Sequence, residues 1–187
     1  PSLIYLDPRF THSMSKVQTV ATAIDSLSHA LESLWSKERN RESGALALES
    51  AVATLTVLDD LTRAAPGAAS RRRQAWAALL AGFSIGISKT ALAHAVSYGF
   101  TLFHQVPHGL AIGMILPEIA RFNWSALEPA EQSALLASSG QTNIEQFADR
   151  LHELATASTF SFPPAHTWRV DEIAAQAADS PRARNNR

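Results

Sequence analysis

Two short stretches of this sequence hold residue types that can do chemistry together. The first is Asp25-Ser-Leu-Ser-His29-Ala-Leu-Glu32. On a helix, Asp25 and His29 are four residues apart, so both side chains leave from one face, about 6 Å from each other. A carboxylate and an imidazole so placed can share one divalent cation. They can equally form an ordinary Asp–His hydrogen bond on a surface. The second stretch, Ala93 to Gly109, carries His94, His104 and His108, three of the seven histidines, in an otherwise apolar run. A lone histidine in such a run is usually a hydrogen-bonded core residue. On one straight helix His94 and His108 would stand about 21 Å apart. Pro107 ends that helix and lets the chain turn so that His108 faces back toward His94.

Together Asp25, His29, His94 and His108 make an Asp–His–His–His set. The 187 residues include no cysteine, which excludes disulfides, thiolate metal sites and thiol catalysis. Imidazole and carboxylate ligands suit Fe²⁺ or Zn²⁺, with Mn²⁺, Co²⁺ or Ni²⁺ also compatible. One carboxylate leaves a site of charge +1, electrophilic enough to polarise an alcohol or carbonyl oxygen. A hydrolytic metal site is the rival reading of the same residues.

These side chains need helices to position them, and the composition supplies helices. Alanine and leucine, the best helix formers, dominate. An apolar share of 46% with 18% charged residues fits a globular domain, and a net charge of -1 offers no electrostatic footprint for nucleic acid or an anionic membrane. No apolar run reaches the roughly 18 residues of a membrane span. No basic, apolar, cleavable leader is present either, so a cytoplasmic location is expected. Apolar spacing of three and four predicts helices over 16–36, 43–63, 70–89, 90–103, 110–122, 128–137, 143–157 and 170–178. Pro117 is expected to kink or divide the fifth, and Gly82 and Gly86 to mark close approach of another helix. Arg71, Arg72 and Arg73 read as a solvated face or as part of a seam with another domain. Leu3 to Leu6, closed by Asp7-Pro8, is the one strand candidate, and its sheet must lie elsewhere. The chain opens on Pro1 and its last residues, Ser180 to Arg187, read as a tail without a closing element. The expectation is therefore an all-α helical bundle with one short N-terminal orphan strand, cut from something longer.

The same residues resemble a known family. Ile24-Asp25-Ser-Leu-Ser-His29-Ala-Leu-Glu32-Ser33 looks like the "Gly-x-Asp-Ala-Leu-x-His-Ala-Ile-Glu" helix of iron-containing (group III) alcohol dehydrogenases. Ala93-His94, then Val106-Pro107-His108-Gly109-Leu-Ala, Leu116-Pro-Glu and Phe122-Asn123, resemble that family's second signature. Leu6-Asp7-Pro8 resembles the segment leading into its helical domain, and Asp179 to Asn186 its near-C-terminal "Asn-Asn-Pro" region. The likeness implies the C-terminal helical domain of the dehydroquinate synthase-like fold, with residues 1–15 as inter-domain strand and turn and 16–187 as the metal-binding domain. It further implies an absent N-terminal dinucleotide-binding domain, since no strand–Gly-rich loop–helix unit for a pyrophosphate occurs here.

By this resemblance the ligands of an Fe²⁺ ion, or of Zn²⁺, fall on Asp25, His29, His94 and His108. Tyr98 and His104 would line the site as catalytic residues, Tyr98 standing where many members carry a further histidine used in proton transfer. The implied activity is metal-assisted hydride transfer between a small alcohol, or its aldehyde or ketone, and NAD or NADP, with a homo-oligomer possible. Ser88-Lys89-Thr90-Ala-Leu-Ala-His94 resembles a subgroup that includes reductases of small phosphonate-bearing aldehydes. The alternatives are a zinc-dependent polyol dehydrogenase or sugar-phosphate cyclase of the same superfamily, or a non-catalytic helical interaction module whose histidines merely pack.

Overall fold

The computed structural model describes residues 3–187. Polar caps start the first two helices. Ser15 accepts the Gln18 N–H and starts α1 (Lys16–Trp35). Asn40 and Ser43 exchange side-chain and backbone hydrogen bonds at the head of α2 (Arg41–Leu61). α3 (Ala68–Ser88), α4 (Leu92–His104), α5 (His108–Asn123), α6 (Pro129–Ser139), α7 (Ile144–Thr156), α8 (Val170–Asp179) and α9 (Pro181–Arg184) follow. α1 is the hub: it packs on α2, α3, α5 and α7 and touches α4. Its Ile24, Leu27, Leu31, Leu34 and Trp35 are fully buried, each such side chain contributing about 1.5–3 kcal/mol by burial. Polar α1 residues are buried as well, Glu32 completely. No single helix among the described residues is long and apolar enough to cross a membrane.

The all-α architecture agrees with the sequence, but five local expectations need correction. Leu3 to Leu6 is not a strand: it has no regular secondary structure, and Tyr5 within it is 89% exposed. Nothing among the described residues offers it a backbone partner, and an isolated strand has no ladder to form. Pro1 and Ser2, expected to belong to the same segment, lie outside the described residues. Pro117 does not divide α5, which runs through it. Gly82 and Gly86 have open space where a Cβ would point. Arg71 is buried, whereas Arg72 and Arg73 are exposed.

The fifth correction concerns the tail, which closes the bundle. Asn186 pairs in an antiparallel bridge with Ser36. Its side chain exchanges two hydrogen bonds with that of Asn123, at 3.1 and 2.9 Å. The Asn185 amide donates to the carbonyls of Ser88 and Thr90, at 2.8 and 3.1 Å. The tail thus stitches the ends of α1, α3 and α5 together.

The close helix approach is made at Gly109, not in α3. A Cβ on Gly109 would sit 1.8 Å from the Ala21 carbonyl oxygen, so α5 begins against the backbone of α1. That contact sets where the neighbouring His108 starts. Gly109→Ala gains about 1 kcal/mol of helix propensity but must push two backbones apart, at a cost of about 1–3 kcal/mol or more. The net expectation is a lowered midpoint in urea unfolding and a weaker metal affinity. An unchanged midpoint with unchanged affinity would show that the contact does not hold the two helices in place.

Candidate metal centre

Three helices bring their polar residues to one point. α1 supplies Asp25 and His29 from one face, α4 supplies His94, and α5 supplies His108 from its first turn. The Asp25 Oδ1 atom is the hub. Around it lie His94 Nε2 at 3.4 Å, His29 Nε2 at 3.7 Å and His108 Nε2 at 3.7 Å. The His29 and His94 rings stack in parallel, 4.6 Å apart, and His108 meets His94 edge-on. One ligand atom each from Asp25, His29 and His94 fits within 4.8 Å; His108 joins through its contact with Asp25.

These groups fit a divalent cation. Asp25 Oδ1 and His94 Nε2 are both buried and neither has a hydrogen-bond partner, although buried polar atoms are nearly always satisfied. A tetrahedral ion with ligands at about 2.1 Å separates them by about 3.4 Å, close to the spacing seen here. His94 forms the floor of the site, 2% exposed in its side chain, while Asp25, His29 and His108 form a rim exposed by 21–32%.

Electrostatics agrees. Burial works against a charged His94, but the Asp25 and Glu32 carboxylates on either side outweigh it and raise its pKa to about 9. The shift measures how strongly the pocket draws positive charge. Burial lowers the pKa of His29 and of His108, against the pull of Asp25, which favours the neutral imidazoles that a metal needs. Burial pushes the Asp25 carboxyl upward, yet His94, His29 and His108 more than offset this and hold it below its ordinary value.

Sequence reasoning gave Glu32 no role, and the structure gives it a central one. Glu32 is fully buried. It accepts hydrogen bonds from the backbone N–H of Ala91 (2.9 Å), Ala93 (2.6 Å) and His94 (3.3 Å). No side chain from the N-cap position itself caps α4, so a carboxylate from α1 does that work at the positive end of the helix. The same carboxylate lies 2.6 Å from His94 Nδ1. It holds the proton there and turns Nε2 toward Asp25, where a bound cation would replace the Nε2 proton. The signal was available: Asp25, His29 and Glu32 are spaced i, i+4, i+7 along one helical face. Ser97 plays a smaller part, donating to the His94 carbonyl at 3.1 Å and lying 3.5 Å from His108 Nδ1.

Of the other expected residues, Tyr98 is at the site: its ring stacks on His108 at 5.2 Å, and it is 38% exposed. His104 is engaged away from the four, where its Nε2 accepts the backbone N–H of Arg169 at 3.1 Å.

Residues 19–166 match the family model described as Fe-containing alcohol dehydrogenase family, C-terminal. The chain belongs to that family. Among its relatives, the 1,3-propanediol dehydrogenase of Klebsiella pneumoniae is 29% identical over 123 residues, 66% of this chain and 32% of the relative. The phosphonoacetaldehyde reductase of Streptomyces viridochromogenes is also 29% identical over 123 residues, 66% of this chain and 31% of its own. The crystal structure of the iron-containing alcohol dehydrogenase of Thermotoga maritima superposes with a TM-score of 0.76 at 27% identity, covering 96% of this chain and 47% of that one. The chain therefore spans about half the length of that solved family member, and the aligned region about a third of the two curated relatives.

The Glu32 arrangement makes a sharp expectation for Glu32→Gln. Whichever way the amide turns, its NH₂ faces backbone N–H groups or His94 Nδ1, and moving the imidazole proton onto Nε2 relieves the clash with Nδ1. Metal affinity should fall about 10–100-fold, read as weakening of the Co²⁺ visible absorption in a titration of the folded variant. An affinity equal to that of the unaltered chain would remove Glu32 from the site.

Proposed function

We propose that this chain is the metal-binding half of an NAD(P)-dependent alcohol dehydrogenase that interconverts a small alcohol and its aldehyde or ketone. The carrying observation is one carboxylate oxygen surrounded by three imidazole Nε2 atoms at 3.4–3.7 Å, open on one side. Asp25, His29, His94 and His108 hold the cation, Fe²⁺ by family membership. Bound there, a divalent cation supplies Lewis acidity toward an alcohol or carbonyl oxygen.

The chain's own residues do the rest. Glu32 keeps His94 in one tautomer and one orientation. Burial of His94 keeps water from the floor, and the part-exposed rim of Asp25, His29 and His108 is where a substrate would approach. Tyr98 stacks on His108 along that approach, where its hydroxyl can orient a substrate oxygen and hold a proton. His104, bonded to the Arg169 amide, is assigned to packing of α8 instead. The nicotinamide that accepts hydride comes from a dinucleotide-binding domain outside this chain, and a site between domains needs both walls. The two curated relatives act, by their names, on a neutral diol and on an anionic aldehyde, so a small alcohol–carbonyl pair is what they support in common.

The test is a titration of the apo chain with Fe²⁺ (anaerobic), Zn²⁺ or Co²⁺. At one hundred times the dissociation constant, metal should stabilise the fold by about 2.7 kcal/mol, reversibly with a chelator. His94→Ala should abolish the gain. A folded chain whose melting temperature ignores all three ions would rule the reading out.

A further inference from the structure

Arg182 stands at the edge of the metal centre with its charge uncompensated. The docked tail puts it there: Asn185 binds the Ser88 and Thr90 carbonyls, and Ser180 accepts the Arg182 N–H at 3.3 Å. Its Nε donates to Thr90 Oγ1 at 3.0 Å, and its guanidinium carbon lies 5.1 Å from the centre of the Tyr98 ring. Tyr98 in turn stacks on His108, so one aromatic ring separates this cation from a metal ligand. Arg9, Arg39, Arg63, Arg121, Arg150 and Arg169 all pair with carboxylates. Arg182 pairs with none among the described residues, like Arg41, Arg71, Arg72, Arg73, Arg184 and Arg187, but it differs from these in lying over the Tyr98 ring with neutral groups holding it. A cleft of about 420 Å³ runs along it, lined also by Thr90, Lys89, Ile85, Pro181 and Glu38. Lys89 takes a positive φ of 62° at the end of α3, and its Nζ donates to the Gly86 carbonyl at 3.1 Å. Two cations thus face one carboxylate, Glu38.

We propose that Arg182 is a specificity-determining residue that reads a terminal oxyanion (carboxylate, sulfonate or phosphonate) on a short substrate whose other end reaches the Asp25–histidine cluster. Thr90 uses Nε, which leaves both Nη groups of a planar fork for two oxygens of one anion. Stacking on Tyr98 limits the tilt of that plane, so the anion is read at a set distance from the cluster. Lys89, its Nζ held on the Gly86 carbonyl, adds positive charge. The inference rests on the metal-centre reading, which defines the reacting end.

The experiment uses the chain loaded with Co²⁺ and two probes, sulfoacetate and acetate. Both present a carboxylate to the metal, and only sulfoacetate carries a second anion for Arg182. Sulfoacetate should bind about tenfold or more tighter than acetate, with both probes shifting the Co²⁺ absorption. Arg182→Ala should erase that difference while leaving Co²⁺ affinity and melting temperature as they were, and Arg182→Lys should keep part of it. Equal affinities for the two probes, or a difference that survives Arg182→Ala, overturn the proposal and leave the metal reading standing. Failure to bind Co²⁺ overturns both. Pyrophosphate is the third probe: Arg182-dependent binding of it tighter than sulfoacetate would assign the residue to cofactor phosphates and overturn the substrate role.

Discussion

One buried carboxylate holds this structure's chemistry in register. Taking a charged carboxylate out of water costs several kcal/mol unless partners replace the water. Glu32 has them, three backbone N–H groups at the start of α4 and the Nδ1 of His94. The contact therefore works in two directions. α4 needs Glu32 because its own N-cap residue, Ala91, has no side chain able to accept. Glu32 needs α4 because no other group satisfies it. Neither helix can slide along the other without stranding a charge, and the slide is also what would carry His94 away from Asp25. Tyr98, one turn further along α4, inherits its position from the same lock.

The second constraint is steric. α5 starts against the α1 backbone because residue 109 has no Cβ, and His108 is the residue just before it. Electrostatic attraction cannot replace this contact. Burial shifts His29 and His108 toward the neutral form, against the pull of Asp25. Packing brings the imidazoles near one another, and a cation then has only to draw them closer. Such pre-organisation limits the entropic cost of binding.

Much of this was legible in the sequence, for definite reasons. α1 and α2 showed themselves by apolar spacing, a signal that is local, while their caps at Ser15 and Asn40 emerged only with the structure. Asp25 and His29 were legible as a pair because helical spacing fixes their separation. His94 and His108 were placed with them only through Pro107, which says that the chain turns but not how far. What stayed hidden depends on contacts between distant segments. Glu32 looked like one more helical acid because its partners lie some sixty residues away. Gly82 and Gly86 were assigned the close approach that Gly109 makes, since composition cannot say which glycine faces a neighbour. Arg71 was read with Arg72 and Arg73 as one solvated face or inter-domain seam, although a helix sends three consecutive residues in three directions. Leu3 to Leu6 has strand composition, and composition alone does not provide a ladder.

The closing tail has its own consequence for how the domain breathes. Ser36 and Asn185 meet across 149 positions of chain, and the bonds that join the tail to the bundle are mostly hydrogen bonds made by side-chain amides. Contacts of such long sequence separation form late, after the loop between them has closed. Held by few buried apolar groups, a unit of this kind also opens at lower free energy than the core beneath it. The α1–α5 core can thus keep Asp25 and the three histidines together while the segment from Ser180 to Asn186 detaches and returns, uncovering and covering the Tyr98 ring that Arg182 overlies.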